Sequence, residues 1–189
     1  MTARLFAVRH GETEWSLSLR HTGRTDVPLT DKGRERATQL ATVLGGREFV
    51  AVLTSPFSRA RDTAALAGFG DAEVDDDLRE WDYGDYEGLK TVDIRKDRPG
   101  WFLWTDGVPN GETIAQVATR ADRVIARVQA YDGDVLVFAH GHVLRVLAAR
   151  WLELDPSFGR SLILSPATLS ILAHEREAPA LETWNAPIV

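Results

Sequence analysis

The chain has 189 residues, no cysteine, 44% apolar side chains and 26% charged ones, the profile of one compact, well-cored domain. The absence of cysteine excludes disulfides and thiolate metal ligands, and a cytoplasmic location is the expectation. A net charge of −6 argues against nucleic acid as a partner, because binding it needs a basic footprint that displaces phosphate counterions. A small phosphorylated ligand stays open, since a cleft feels its near charges more than the distant total.

In chain order, Met1-Thr2-Ala3-Arg4 leads into Leu5-Phe6-Ala7-Val8, too short for the apolar region of a signal peptide, and this run predicts a first strand at 5–8. A helix is expected at 31–45, with Thr30 at its start, Ala37, Leu40 and Leu44 on its apolar side, and Gly45-Gly46 as its stop. A strand at 50–54 runs into a helix at 57–67. The stretch 78–111 holds Trp81, Trp101 and Trp104 among Pro99, Gly100, Gly107, Pro109 and Gly111, and predicts an insertion over the sheet. Lys90, Arg95, Lys96 and Arg98 fit the polar face of a short helix there, with Trp101 and Trp104 forming a small core beneath it.

A helix at 112–130 precedes Asp134-Val135-Leu136-Val137-Phe138-Ala139, which lacks polar alternation and predicts a central strand covered on both faces. A helix at 142–152 and a strand at 169–173 follow, while Ala178 to Val189 gives no clear signal. The alternation predicts an α/β fold of three layers, α/β/α, with a largely parallel sheet. One domain spanning 1–189, with 78–111 as a cap, is the expected organisation. No apolar run approaches the roughly 20 residues of a membrane helix, so no membrane partner is expected, and the oligomeric state is not readable.

Arg9-His10-Gly11 and His140-Gly141-His142 both stand where a predicted strand ends. In a parallel α/β sheet those carboxyl ends share one edge, where ligands bind, so distant histidines are expected to meet. Arg9 adds a permanently charged planar fork suited to phosphate oxygens. Ser55-Pro56-Phe57-Ser58-Arg59 is a third strand end, running into a helix start that favours anions, with Arg59 as a second guanidinium. The run from Leu78 to Gly88 is dense in carboxylates and aromatics and supplies candidates for a proton donor. Spacing alone does not choose among Glu80, Asp82, Glu87 and Glu12, nor separate Arg59 from Arg61.

Taken together and in this order, these segments resemble the histidine phosphatase superfamily, the group that includes cofactor-dependent phosphoglycerate mutases, from about Leu5 to Leu152. The resemblance implies a phosphoglycerate mutase-like fold and hydrolysis of phosphomonoesters through a phosphohistidine. It implies His10 as nucleophile, Glu80 as proton donor, and Arg9, Arg59 and His140 as the grip on the transferred phosphoryl group. Ser16 stands where many members carry Asn and is expected to donate a hydrogen bond to phosphate. Thr22 and Gly23 match a substrate loop, and Tyr83 and His142 are further substrate contacts. For His142, capping the next helix and simple exposure are equally open readings; His21 and His174 are expected at the surface.

The wording around Glu80 and His140 is most similar to fungal sedoheptulose bisphosphatases and bacterial acid phosphatases, which implies a sugar mono- or bisphosphate as substrate. No cofactor and no metal are implied. Three rival functions remain: a phosphoglycerate mutase, a hydrolase using a metal held by His140 and His142, and a module that binds phosphorylated ligands without turnover.

Overall fold

The computed structural model describes residues 3–188; Met1 and Thr2, ahead of the first strand, and Val189, at the end of the tail, lie outside them. Among the described residues six strands form one sheet: β1 (Leu5–Arg9), β2 (Ala51–Thr54), β3 (Glu73–Val74), β4 (Val135–Ala139), β5 (Leu169–Glu175) and β6 (Ala178–Ala186). Their order is β3-β2-β4-β1-β5-β6. The first four in that order run parallel, β5 pairs antiparallel to β1, and β6 pairs antiparallel to β5. The helices are α1 (Glu14–Leu17), α2 (Asp31–Leu44), α3 (Ser58–Leu66), α4 (Thr91–Asp97), α5 (Leu103–Asp106), α6 (Ile114–Gln129) and α7 (Gly141–Trp151), with 3-10 turns at Asp76–Leu78, Gly84–Tyr86 and Pro156–Ser161.

Side chains alternate across the sheet with the period of two that a strand imposes. Leu5, Ala7, Val135 and Val137 join one core with Val117, Val124, Leu144 and Leu147 from α6 and α7. Phe6, Val8, Leu136 and Phe138 join the other with Leu40, Leu44 and Ala64 from α2 and α3. Helices thus cover both faces, and all five residues of β4 are buried at the centre, between β2 and β1. This is the three-layer, largely parallel architecture expected from the sequence.

The strands at 5–8, 50–54, 135–139 and 169–173 and the four long helices stand within a residue or two of their expected limits. Thr30 caps α2 by accepting the Gly33 N–H at 3.0 Å, and the helix ends at Gly45 and Gly46. Two strands escaped the sequence reading. The two-residue β3 is too short to show a period, and β6 is an edge strand with Pro179 and only partly buried residues, so its alternation is weak. The 78–111 stretch holds α4, α5 and the 3-10 turn Gly84–Tyr86, and its Trp81, Tyr83, Ile94, Trp101 and Trp104 pack into the same core as β4 and α7.

The loop after β1 lies directly on the start of α2. A Cβ on Gly11 would come 2.6 Å from the Gly33 carbonyl oxygen, and one on Gly33 would strike the Glu12 backbone. Only two glycines permit this approach of backbone to backbone. Gly33→Ala is expected to cost about 1–3 kcal/mol through the forced shift, read as a lower urea midpoint; an unchanged midpoint would contradict the contact.

Candidate active site

Parallel pairing brings the two histidine segments together. Arg9 lies opposite Ala139 in register, so the residues that follow are neighbours, and the rings of His10 and His140 are 5.1 Å apart, centre to centre. His10 is buried, and its Nδ1 lies 2.7 Å from the Gly11 carbonyl oxygen. A carbonyl only accepts, so Nδ1 carries the hydrogen and Nε2 keeps the lone pair. The Gly11 N–H donates to Thr63 Oγ1 (2.9 Å), whose hydroxyl donates to the Arg59 carbonyl (2.6 Å), fixing this turn to α3.

Arg59 is fully buried, and protein groups occupy all of its nitrogens. Nε donates to His140 Nδ1 at 3.1 Å, and the two terminal nitrogens donate to the carbonyls of Thr25, Thr22 and Gly23 at 3.0, 3.2 and 2.9 Å. A guanidinium cannot accept, so His140 Nδ1 is the acceptor, and Nε2–H donates to Ser55 Oγ at 2.7 Å. His140 is thereby held as one neutral tautomer. His142 shares a 2.6 Å hydrogen bond with the Tyr83 hydroxyl through its Nδ1; burial and Glu80 raise that phenol well above its ordinary pKa, so it stays protonated.

Glu80 is buried beside the first turn of α7. Its Oε1 accepts the N–H groups of Trp81 and Val143, and its Oε2 that of His142, each at 2.9 Å. Arg9 donates to the Leu164 carbonyl through one terminal nitrogen. Its Nε is buried and has no hydrogen-bond partner among the described residues, although such a donor normally finds one.

Arg9, His10, Ser16, Thr22, Glu80, Tyr83 and His142 line one cavity of about 100 Å³. Among the described residues of its lining, Arg59, His140 and Gly23 do not figure. Gly23 instead donates its N–H to the Glu87 carboxylate at 2.9 Å. The Ser16 hydroxyl donates to the Thr13 carbonyl (2.9 Å) within the capping box of α1, so it would have to rotate to meet a ligand.

Three wider clefts, of about 570, 460 and 380 Å³, lie elsewhere among the described residues. The largest of these, among Arg4, Asp134 and His174, is at the amino ends of the parallel strands, the edge opposite to the one where α/β sheets bind ligands. His174 is half-buried there, against Trp151.

The expectation of a surface His21 is corrected. Its ring is 4.8 Å from Tyr83 and 5.6 Å from Trp101, and it lines the cavity. The flanking loop is tied down, with His21 N–H on the Leu89 carbonyl (2.9 Å) and Gly88 N–H on that of His21 (2.8 Å). Arg20 and Arg145 also line the cavity, and neither was singled out from the sequence. Arg145 carried a signal, because it follows His142 by three positions on α7 and so shares its face.

The imidazoles of His10, His21, His140 and His142 are neutral near neutrality. Burial, Arg9 and Arg59 hold His10 well below 6.5; burial and Arg59 do so for His140, burial and Arg145 for His142, and burial brings His21 to about 4. Unfolded histidines titrate near 6.5, so below that pH the unfolded chain binds more protons than the folded one, and stability is lost as pH falls. Each buried histidine should add a slope of up to about 1.4 kcal/mol per pH unit. The denaturant midpoint is therefore expected to drop from pH 7.5 to 5.5, and a flat profile would contradict the neutral assignments.

The model of the Histidine phosphatase superfamily (branch 1) matches residues 5–187. An acid phosphatase of Mycobacterium tuberculosis is 44% identical, covering 91% of this chain and 87% of its own length. The sedoheptulose 1,7-bisphosphatase of Saccharomyces cerevisiae is 41% identical, with 82% of this chain and 69% of that protein covered. The solved structure of a Mycobacterium tuberculosis open reading frame superposes with a TM-score of 0.94 at 41% identity, over 100% of both chains. A family match over nearly the whole length, with relatives this similar, makes the chain a phosphatase belonging to branch 1 of the histidine phosphatase superfamily.

Proposed function

We propose that the protein hydrolyses a small phosphorylated metabolite, a sugar mono- or bisphosphate, through a phosphohistidine at His10, without a metal and in the cytoplasm. The observation that carries this reading is the pairing of a nucleophilic nitrogen with an unsatisfied cation. His10 keeps its Nε2 lone pair because Nδ1–H is bound to Gly11, and Arg9 Nε is a buried donor that an anion would satisfy.

In the first step the Nε2 lone pair forms a bond to phosphorus as the ester P–O bond breaks, and Glu80 passes a proton to the departing alkoxide. In the second, the Glu80 carboxylate takes a proton from water, the oxygen of which bonds to phosphorus. The P–N bond then breaks, releasing inorganic phosphate and neutral His10. Arg9 neutralises charge on the phosphoryl oxygens directly. Arg59 contributes charge, and neutral His140 positioning, from beside His10, and Arg59 reaches an oxygen only by giving up a carbonyl of the 22–25 loop. Ser16 and Thr22 border the phosphate, Gly23 and Glu87 anchor that loop, and Tyr83 and His142 face the alcohol. The yeast relative's named substrate and a rim of His21, Arg20 and Arg145 support a sugar phosphate.

A panel of phosphorylated metabolites, assayed for phosphate release with a chelator present and no bisphosphoglycerate, tests this reading. Sugar phosphates are expected to turn over, and His10→Ala to lose turnover by several orders of magnitude while staying folded. Phosphate release that persists in His10→Ala, or transfer that occurs only with bisphosphoglycerate, would overturn it.

A further inference from the structure

Helix α6 carries Arg120, Arg123 and Arg127 at spacings of three and four, which puts them along one face. That face grips the chain leading to Glu80. Arg127 pairs with Glu73 at 2.6 Å and Asp75 at 2.8 Å, and Arg123 takes both oxygens of Asp77 at 2.7 and 2.6 Å. These pairs are at least partly open to solvent and individually weak. Arg120 differs, being only 6% exposed.

Its guanidinium has five N–H groups and makes five hydrogen bonds. Nε and one terminal nitrogen hold the two oxygens of Glu112, each at 2.8 Å. The remaining contacts are to the carbonyls of Asp77 (2.7 Å), Arg79 (2.9 Å) and Glu80 (3.4 Å). Glu112 closes the clasp from the far side: its carboxylate accepts the Asp82 N–H at 3.0 Å and its carbonyl the Trp81 indole N–H at 2.8 Å. The close approach of these segments depends on Gly84 and Gly111, where any Cβ would strike the opposing backbone. Burial pushes the Glu112 carboxyl up, but the bonds and charge of Arg120 outweigh it, so the pair is ionised.

We propose that Arg120, clamped to Glu112, is a positioning residue that sets the Glu80 carboxylate for proton transfer by fixing the backbone on both sides of it. Neither Arg120 nor Glu112 figures in the lining of the cavity above His10, so the action runs through residues 77–82. The proposal rests on the assignment of Glu80 as proton donor. Its physical basis is that three backbone carbonyls converging on one buried cation leave the Glu80 main chain little freedom, and the carboxylate then meets the N–H groups of α7 in one orientation only.

Arg120→Lys keeps the charge but loses the fork, and Glu112→Gln keeps an oxygen for the Asp82 N–H but loses the charge. Each variant is to be compared with the parent on an alkyl phosphate and on p-nitrophenyl phosphate, alone and combined with Glu80→Gln, with amide hydrogen exchange measured alongside. Arg120→Lys is expected to lower kcat on the alkyl ester by on the order of 10²-fold, with KM little changed and a far smaller loss on the aryl ester, which leaves without a proton. Glu112→Gln should give the same pattern to a lesser degree. In the Glu80→Gln background either change should cost nothing more, and the amides of Trp81, His142 and Val143, which hold Glu80, should lose protection. Equal losses on the two esters, losses that multiply with Glu80→Gln, or unchanged amide protection would overturn the proposal. If the parent releases phosphate from neither ester, the amides decide alone: faster exchange upholds the clamp while the phosphatase reading falls, and unchanged exchange overturns the clamp.

Discussion

The structure depends on keeping imidazoles neutral beside buried guanidinium groups. Arg9 and Arg59 are charged under any ordinary condition, and burial removes the water that would screen them. A protonated His10 or His140 beside them would be a third buried cation. Each ring therefore has one nitrogen committed to a protein group that dictates its tautomer: the Gly11 carbonyl for His10 and the Arg59 Nε for His140. What makes the site unfavourable to a proton is the same feature that makes it favourable to phosphate, namely buried positive charge: the carboxylate paired with Arg59, Asp26 at 3.7 Å, is itself half-exposed. Glu80, the nearest buried carboxylate, instead spends its oxygens on three backbone N–H groups.

The sheet exists, in functional terms, to bring those groups to one edge. Parallel pairing of β1 with β4 and of β4 with β2 aligns three strand ends, so Arg9, Ser55 and His140 meet without any of them being near in sequence. Backbone contact between Gly11 and Gly33 fixes the turn that carries His10. The Glu80 segment has no strand to hold it and relies on α6, whose arginines replace a hydrogen-bonded ladder with a row of ion pairs ending in the buried Arg120–Glu112 clasp.

The parts of this arrangement that were legible in the sequence are those written in local pattern. The uninterrupted apolar run Val135–Ala139 announced a buried central strand, and the Arg-His-Gly and His-Gly-His steps at strand ends pointed to one edge of the sheet. What escaped is set by tertiary contact. His21 reads as an ordinary loop residue, and only the packing of Tyr83 and Trp101 around it brings it into the cavity. Arg120 looks like any surface arginine on an amphipathic helix, and its burial follows from a segment forty residues earlier folding over it. The strand β6 hides because an edge strand needs apolar residues on one face only, and its few are interrupted by proline and charge.

The neutral, lone-pair-bearing His10 is the point on which the chemistry turns, and nitrogen NMR of selectively labelled histidine observes it directly. Across pH 5.5 to 8 the His10 ring is expected to show one protonated nitrogen, Nδ1, and one bare nitrogen, Nε2, with no conversion to imidazolium. A His10 signal that titrates near 6.5, or that carries its hydrogen on Nε2, would contradict the account.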